Sequence, residues 1–182
     1  MKRTLLLVGC LVVVAVARGD IIPSFTGASP SGGNTVWGYK IDITSGEQVT
    51  SGDFFTIYDF GSFMPGSNAQ PGGWTFSSSL SGPTPAGVTP PDNPNLLNLT
   101  WTYNGPTIPT GSGIGPFSVT IARTQTQSQL SYFAAQATSN ESGKINNVGR
   151  IPVPVPVPEP ATLSLLALGI AATAVRKLRH RP

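Results

Sequence analysis

Between about residues 20 and 150, apolar and polar side chains alternate with a period of two, and no long stretch shows the 3.6-residue period of an amphipathic helix. Such alternation is typical of strands that bury one face and expose the other. Six segments have this alternation or are rich in β-branched and aromatic residues: Tyr39–Thr44, Phe54–Phe60, Trp74–Phe76, Leu97–Tyr103, Phe117–Ile121 and Leu130–Ala134. We therefore predict six or seven short strands.

Turn residues separate these segments. Ser45-Gly46 follows the first of them, and Asn104-Gly105 follows Leu97–Tyr103, where it predicts a β-hairpin. Pro83–Asn95 contains five prolines and is expected to form a long loop, because proline lacks the N–H that a central strand must donate. Many short strands without intervening helices predict an all-β fold, an antiparallel β-sandwich for which an immunoglobulin-like arrangement is one candidate.

The N-terminus has the layout of a secretory signal peptide. Met1-Lys2-Arg3 is positively charged, Leu5–Val16 is apolar, and Ala15-Val16-Ala17 offers small residues for cleavage. We predict a signal peptide over residues 1–17, exported by Sec and removed by signal peptidase after Ala17, with cleavage after Gly19 as the alternative. Cys10, the only cysteine, lies in this segment, so the exported chain has no thiol and no disulfide.

A second apolar segment, Leu163–Val175, lies near the C-terminus and is followed by a basic tail. Its 13 residues would rise roughly 20 Å as a helix, against about 30 Å of bilayer hydrocarbon. We therefore predict a transmembrane segment over 163–175 that anchors the chain only temporarily. The tail, 176–182, is expected to stay cytoplasmic because of its positive charges: Arg176, Lys177, Arg179 and Arg181.

Alternating prolines precede this segment, from Ile151 to Pro160. Each proline fixes its own φ angle and favours an extended conformation in the residue before it. We therefore predict a polyproline-like spacer without internal hydrogen bonds, with a Pro-Val linker over 151–157. An extended, unpaired peptide next to the membrane suits recognition by a processing enzyme.

The sequence Val157-Pro158-Glu159-Pro160-Ala161-Thr162, followed by the apolar segment and the basic tail, resembles the PEP-CTERM sorting domain over residues 157–182. The resemblance implies recognition by an exosortase, a membrane-embedded processing enzyme of cysteine type, and release or transfer to an extracellular polysaccharide. It implies a sorting signature at Val157, Pro158, Glu159 and Pro160. The expected organisation is a signal peptide (1–17), a β-sandwich domain (20–150), the linker (151–157) and the sorting segment (158–182).

The net charge of +3 belongs to the two ends of the chain. Without the six basic residues at the termini, residues 4–175 carry a formal charge of −3. Nucleic-acid binding requires a basic face on the folded domain, so we exclude that class of partner.

Catalytic chemistry has few candidate residues. His180 is the only histidine and lies in the tail, so neither a Ser-His-Asp triad nor a His/Cys zinc site can form in the exported domain. The carboxylates mostly lie in or beside turns, where acidic residues are common for local reasons: Asp20, Asp42, Glu47, Asp53, Asp59, Asp92, Glu141 and Glu159. We expect neither an enzyme nor a cofactor.

Two groups of residues leave open a role in binding sugar or calcium. Trp37, Trp74 and Trp101 offer rings on which a sugar can stack, although three tryptophans in such a domain are more often core residues. Oxygens for calcium exist, although no Asp-x-Asp-x-Asp-Gly loop is present: Asp42, Glu47, Asp53 and Asp59. We expect a non-enzymatic surface or extracellular-matrix protein with a structural or adhesive role. The alternative is a lectin-like carbohydrate-binding module, with or without calcium.

Overall fold

The computed structural model describes residues 20–122, 127–141 and 143–155. Within these ranges the chain is all-β and contains no helix. The strands are β1 (Ile21–Ser31), β2 (Asn34–Ile43), β3 (Glu47–Gln48), β4 (Phe54–Ile57), β5 (Trp74–Ser79), β6 (Asn98–Tyr103), β7 (Gly111–Ile121), β8 (Ser128–Ser139) and β9 (Lys144–Pro154). Over the same ranges, no helix has the length and hydropathy needed to cross a membrane.

The strands form two antiparallel sheets. The first sheet has the order β1-β2-β7. In the second, β8 pairs with β9 on one side and with β3 and β4 on the other, and β6 and β5 follow. Each of the six predicted segments overlaps a strand, although β4 ends at Ile57, three residues before the predicted end at Phe60. The all-β antiparallel prediction is confirmed. The sequence did not predict β1 or β9, because their polar and proline residues obscure the alternation.

The strand order differs from that of an immunoglobulin domain. There the first two strands share a sheet with the fourth and fifth. Here β1 and β2 pair with β7, while β4, β5 and β6 lie together in the other sheet. The immunoglobulin-like candidate therefore does not describe the order observed.

The hairpin predicted at Asn104-Gly105 does not form. β6 pairs with β4 and β5, and β7 lies in the other sheet, so the chain after Tyr103 crosses between the sheets. Asn104 N–H donates to the carbonyl of Gly73 at 2.7 Å, and Ile108 forms an isolated bridge with Val49. The local turn signal is outweighed by the pairing of β6 with both of its neighbours.

A single core lies between the two sheets. Along β2 every second residue is buried, from Thr35 to Ile43. Phe117 of β7 meets the second sheet edge-on, with its ring centroid 5.1 Å from that of Phe55 and 5.9 Å from that of Trp101. Aromatic pairs at these distances and angles add to the stabilisation that burial of apolar surface provides.

The proline-rich segment is a loop, as predicted, and it covers the part of the second sheet's outer face around Thr56, Tyr58 and Asn146. Thr56 and Tyr58 lie on that face and are fully buried. Their hydroxyls both donate to the carbonyl of Pro83, at 3.1 and 2.9 Å. Asn146 of β9 donates to the carbonyl of Ala86 at 2.7 Å. A loop that cannot join the sheet thus supplies carbonyls to side chains that would otherwise be buried without partners.

Candidate functional site

The last strand, β9, leads directly to the predicted sorting segment. Ile151 and Val153 are 1% and 0% exposed and belong to the core. The N–H of Val155 still donates to the carbonyl of Gln127, at 3.1 Å. The chain is therefore part of the folded domain until three residues before Pro158.

The prolines of β9 fit a strand because β9 is an edge. Val155 points its N–H toward β8, so Pro152 and Pro154, which have the opposite parity to Val155, point away from β8 and no ladder bond is lost there. The carbonyl of Pro152 accepts a hydrogen bond from the hydroxyl of Tyr39 at 2.9 Å. Burial raises the pKa of Tyr39, so this hydroxyl stays protonated as a donor.

These contacts correct one prediction. The sequence indicated an unpaired polyproline-like linker over 151–157, whereas Ile151–Pro154 is paired with β8. The proline at every second position suggested a spacer, but the same period places Ile151 and Val153 on one face of a strand. That Ile-x-Val spacing was the signal that could have identified β9.

The first and last described residues, Asp20 and Val155, lie at opposite ends of the domain. Asp20 is bonded through its backbone to Thr44, and Glu47 pairs with Ser139 at the end of β8. Val155 is bonded to Gln127, at the start of β8. The end of the domain that contains Gln127 and Val155 is called the exit end below.

The protein-family model described as the PEP-CTERM protein-sorting motif matches residues 156–179 of the sequence. The chain carries a PEP-CTERM sorting motif. The match begins one residue after the last described residue, Val155, and includes the predicted signature: Val157, Pro158, Glu159 and Pro160. A comparison with curated proteins finds no significant match.

The PEP-CTERM motif indicates a protein that is sorted by an exosortase-like system, with export and a membrane-anchored intermediate. Its residues lie outside those that the structure describes, as do the predicted signal peptide with Ala15 and Ala17 and the apolar segment Leu163–Val175. The predicted cytoplasmic charges lie outside them too: Arg176, Lys177, Arg179 and Arg181.

The tryptophans of the folded domain lie in the core. Trp37 and Trp101 are fully buried and Trp74 is 5% exposed. Trp101 stacks on Phe55 with ring centroids 5.1 Å apart, and Trp74 meets Phe117 edge-on at the same distance. None of the three indoles presents a face to which a sugar could bind.

The predicted calcium residues are distributed over different parts of the fold. Asp42 accepts from Gly113 N–H at 2.6 Å and lies 3.6 Å from Lys40 Nζ. Asp59 accepts from Asn93 N–H at 2.8 Å, near the proline-rich loop. Among the described residues, no three acidic, histidine or cysteine side chains come together as metal ligands.

Asp53 is the centre of a polar cluster that the sequence did not reveal. Its carboxylate is fully buried. Oδ1 accepts from Lys144 Nζ at 2.6 Å, while Oδ2 accepts from Thr50 N–H at 2.7 Å and from the Thr138 hydroxyl at 2.8 Å. Full satisfaction of this carboxylate offsets its desolvation, so the cluster joins the β3–β4 turn to β8 and β9.

Two further carboxyl groups, Asp20 and Glu47, are buried close to the start of the domain. They are 1% and 5% exposed, and Asp20 Oδ2 and Glu47 Oε2 have no hydrogen-bond partner among the residues that the structure describes. Burial raises the pKa of Asp20 from 3.8 to about 8, although its bond from Ile21 N–H opposes the shift. Burial, followed by repulsion from Glu141, raises the pKa of Glu47.

Proposed function

We propose that this protein is an exported, non-enzymatic β-sandwich that is retained at the cell surface or in the extracellular matrix, where it has a structural or adhesive role. The observation that carries the proposal is the direct succession of the last core strand, β9, by the PEP-CTERM motif. A compact domain that ends at the sorting signal remains whole when the signal is removed.

The contacts of Asp53 and Lys144 support the non-enzymatic part of the proposal. Asp53 and Lys144 are engaged with each other and with threonine hydroxyls that join strands. The only histidine of the chain, His180, belongs to the tail. General acid–base or nucleophilic catalysis needs groups that face a substrate. Asp53 and Lys144 instead face other strands.

Burial of all three tryptophans favours the structural role over the lectin-like alternative. Aromatic platforms for sugars need an exposed ring face, and here the rings pack against other aromatic side chains. Titration with the extracellular polysaccharide of the producing cells is expected to leave the tryptophan emission unchanged. A saturable shift of that emission would favour the lectin-like module instead.

Intact mass of the protein from exosortase-containing cells tests the sorting step. The expected product lacks the residues beyond about Pro160. A variant with Glu159→Ala is expected to accumulate with its tail uncut, whereas Pro152→Ala, a matched proline change in β9, is cut normally. An uncut tail on the unmodified protein in such cells would refute the proposal. Glycan mass on the new C-terminus would show transfer to polysaccharide, and its absence would show release.

A further inference from the structure

The outward face of the β8–β9 hairpin carries apolar side chains that nothing in the described part of the chain covers. Leu130 is 62% exposed and Val148 is 42% exposed. Leu130 lies directly opposite Pro152, and Tyr132 lies opposite Arg150. Directly opposed residues project to the same face of a sheet. We call this surface the β8–β9 patch: Leu130, Tyr132, Val148, Arg150 and Pro152.

The patch faces away from the core. The residues of opposite parity on these strands, including Phe133, Ile151 and Val153, are 0–5% exposed and form part of the core. The patch residues therefore contribute little to the interior. Their burial against a second surface would remove apolar area from water at little cost to the fold.

Arg150 gives the patch a cation beside an aromatic ring. Its guanidinium lies 5.1 Å from the Tyr132 ring centroid and donates to the Tyr132 hydroxyl at 3.0 Å. Leucine and valine side chains next to tyrosine and arginine are the composition of surfaces that rest at the boundary of lipid headgroups and acyl chains. The arginine is placed to bind headgroup phosphate while the apolar side chains enter the boundary.

The chain between the domain and the predicted membrane segment is short, and this tether favours a lipid bilayer as the surface that the β8–β9 patch contacts. Eight residue steps separate Val155 from Leu163, where the predicted apolar segment begins. Even a fully extended chain of that length spans no more than about 29 Å. Pro152 lies three residues before Val155, so the patch reaches the exit end of the domain. In the anchored intermediate the patch is thus confined to the vicinity of the bilayer, and even weak contacts gain from the high effective concentration.

We propose that the β8–β9 patch rests on the bilayer surface while the protein is anchored by its tail, and leaves that surface once the tail is cut. The proposal depends on the anchored intermediate that the PEP-CTERM motif implies, but not on the structural or adhesive role. Loss of the tether removes the effective concentration, and the remaining contact area is too small to hold the domain on lipid. The patch then becomes free in the mature protein.

The test uses the anchored chain, with its tail retained and its signal peptide removed, in phosphatidylcholine–phosphatidylglycerol vesicles without exosortase. Removal of the signal peptide eliminates Cys10, so a bimane label on Leu130→Cys is unique. Lipids with a spin label near the headgroup are expected to quench this bimane at least threefold more than bimane on Ile22→Cys. Ile22 is the matched control, since it is 38% exposed but lies on β1 near the opposite end.

Two further variants separate the alternatives. Val148→Asp is expected to abolish the excess quenching at position 130, and truncation after Pro160 is expected to do the same. Equal quenching at positions 130 and 22 would overturn the proposal. So would disulfide cross-linking of the unlabelled Leu130→Cys chains by an added oxidant in the same vesicles, because it would identify a second copy as the occupant. Because no exosortase is present in the vesicles, equal quenching would overturn the proposal about the β8–β9 patch without bearing on sorting. An uncut tail in cells would refute sorting by exosortase without changing the quenching result.

Discussion

At the residue scale, two buried acids link the folding of this domain to pH. Asp20 holds its proton up to about pH 8 in the folded chain, because burial disfavours its charged form. In the unfolded chain the same group ionises near pH 4. Between these values the folded state binds more protons, so stability falls as pH rises through that window and is fully present below it.

This linkage predicts the behaviour of Asp20→Asn. The free energy of unfolding of the unmodified protein should decrease by up to about 1.4 kcal/mol per pH unit between pH 5 and 8. Asp20→Asn should remove most of this dependence of the free energy of unfolding on pH. The smaller dependence that remains is due to Glu47, whose pKa is also raised. Urea denaturation at several pH values measures this. Asp42→Asn is the control and should keep the slope, because Asp42 is not among the charges that act on Asp20 or Glu47. An Asp20→Asn slope as steep as that of the unmodified protein would contradict the assignment.

A second prediction concerns Asp53, the fully buried carboxylate. Asp53→Ala removes the acceptor for Thr50, Thr138 and Lys144 and should cost about 3 kcal/mol of stability. Lys144→Met should cost less, about 1 kcal/mol, since Lys144 is 41% exposed and the threonines still bind the carboxylate. Thermal or urea unfolding gives both values. Equal losses for the two variants would show that the ion pair, and not the threonine bonds, dominates.

At the element scale, β9 is a strand made of alternating core residues and edge prolines. Ile151 and Val153 face the core, and Phe133 lies so close to Gly149 that a Cβ there would come within 2.6 Å of the ring. This close approach explains a glycine in the middle of a strand. The prolines also limit pairing of the exposed edge with other chains.

The two faces of β9 should respond differently to substitution. Ile151→Ala should destabilise the protein by about 3 kcal/mol, because it leaves a cavity in the core. Pro152→Ala should change stability by less than about 1 kcal/mol, since its nitrogen faces away from β8 and its carbonyl remains for Tyr39. Chemical denaturation distinguishes them. A negligible effect of Ile151→Ala on the free energy of unfolding would show that this segment is a spacer and not a core strand.

The proline-rich loop is a second element whose order depends on a few bonds. Tyr58→Phe removes the hydroxyl that reaches Pro83 and Thr84, while the ring stays buried. We expect a loss of about 1 kcal/mol and faster proteolysis within residues 83–95. Tyr132→Phe, which removes a surface hydroxyl on β8, should leave the loop as resistant as before. Limited proteolysis with mass mapping of the fragments compares the two.

At the scale of the whole molecule, one core holds both sheets, and the sorting motif begins just beyond it. Truncation after Pro160 retains every described strand and should preserve a single cooperative unfolding transition. Truncation after Arg150 removes Ile151, Val153 and the carbonyl that Tyr39 binds, and should abolish near-ultraviolet circular dichroism of the core aromatics. Retention of the native signal by the shorter chain would show that β9 is dispensable.

The sequence alone determined what depends on local chemistry. Period-two alternation predicted the strands from Tyr39 to Ala134, five prolines predicted the loop, and the order of motif, apolar segment and basic tail predicted sorting by an exosortase-like system. The PEP-CTERM match confirms the motif over residues 156–179. Each of these signals lies within a short stretch of chain, so no knowledge of distant contacts was required.

Only the tertiary structure decided the pairing of strands and the surroundings of individual side chains. Asn104-Gly105 has the local signature of a hairpin, yet β6 is paired on both sides and its chain crosses to the other sheet. Ile151–Pro154 reads as a spacer until β8 offers the partner that makes it a strand. Asp53 and Lys144 are 91 residues apart and meet only in the fold. Such outcomes depend on contacts between distant segments, whose free energy outweighs local preference.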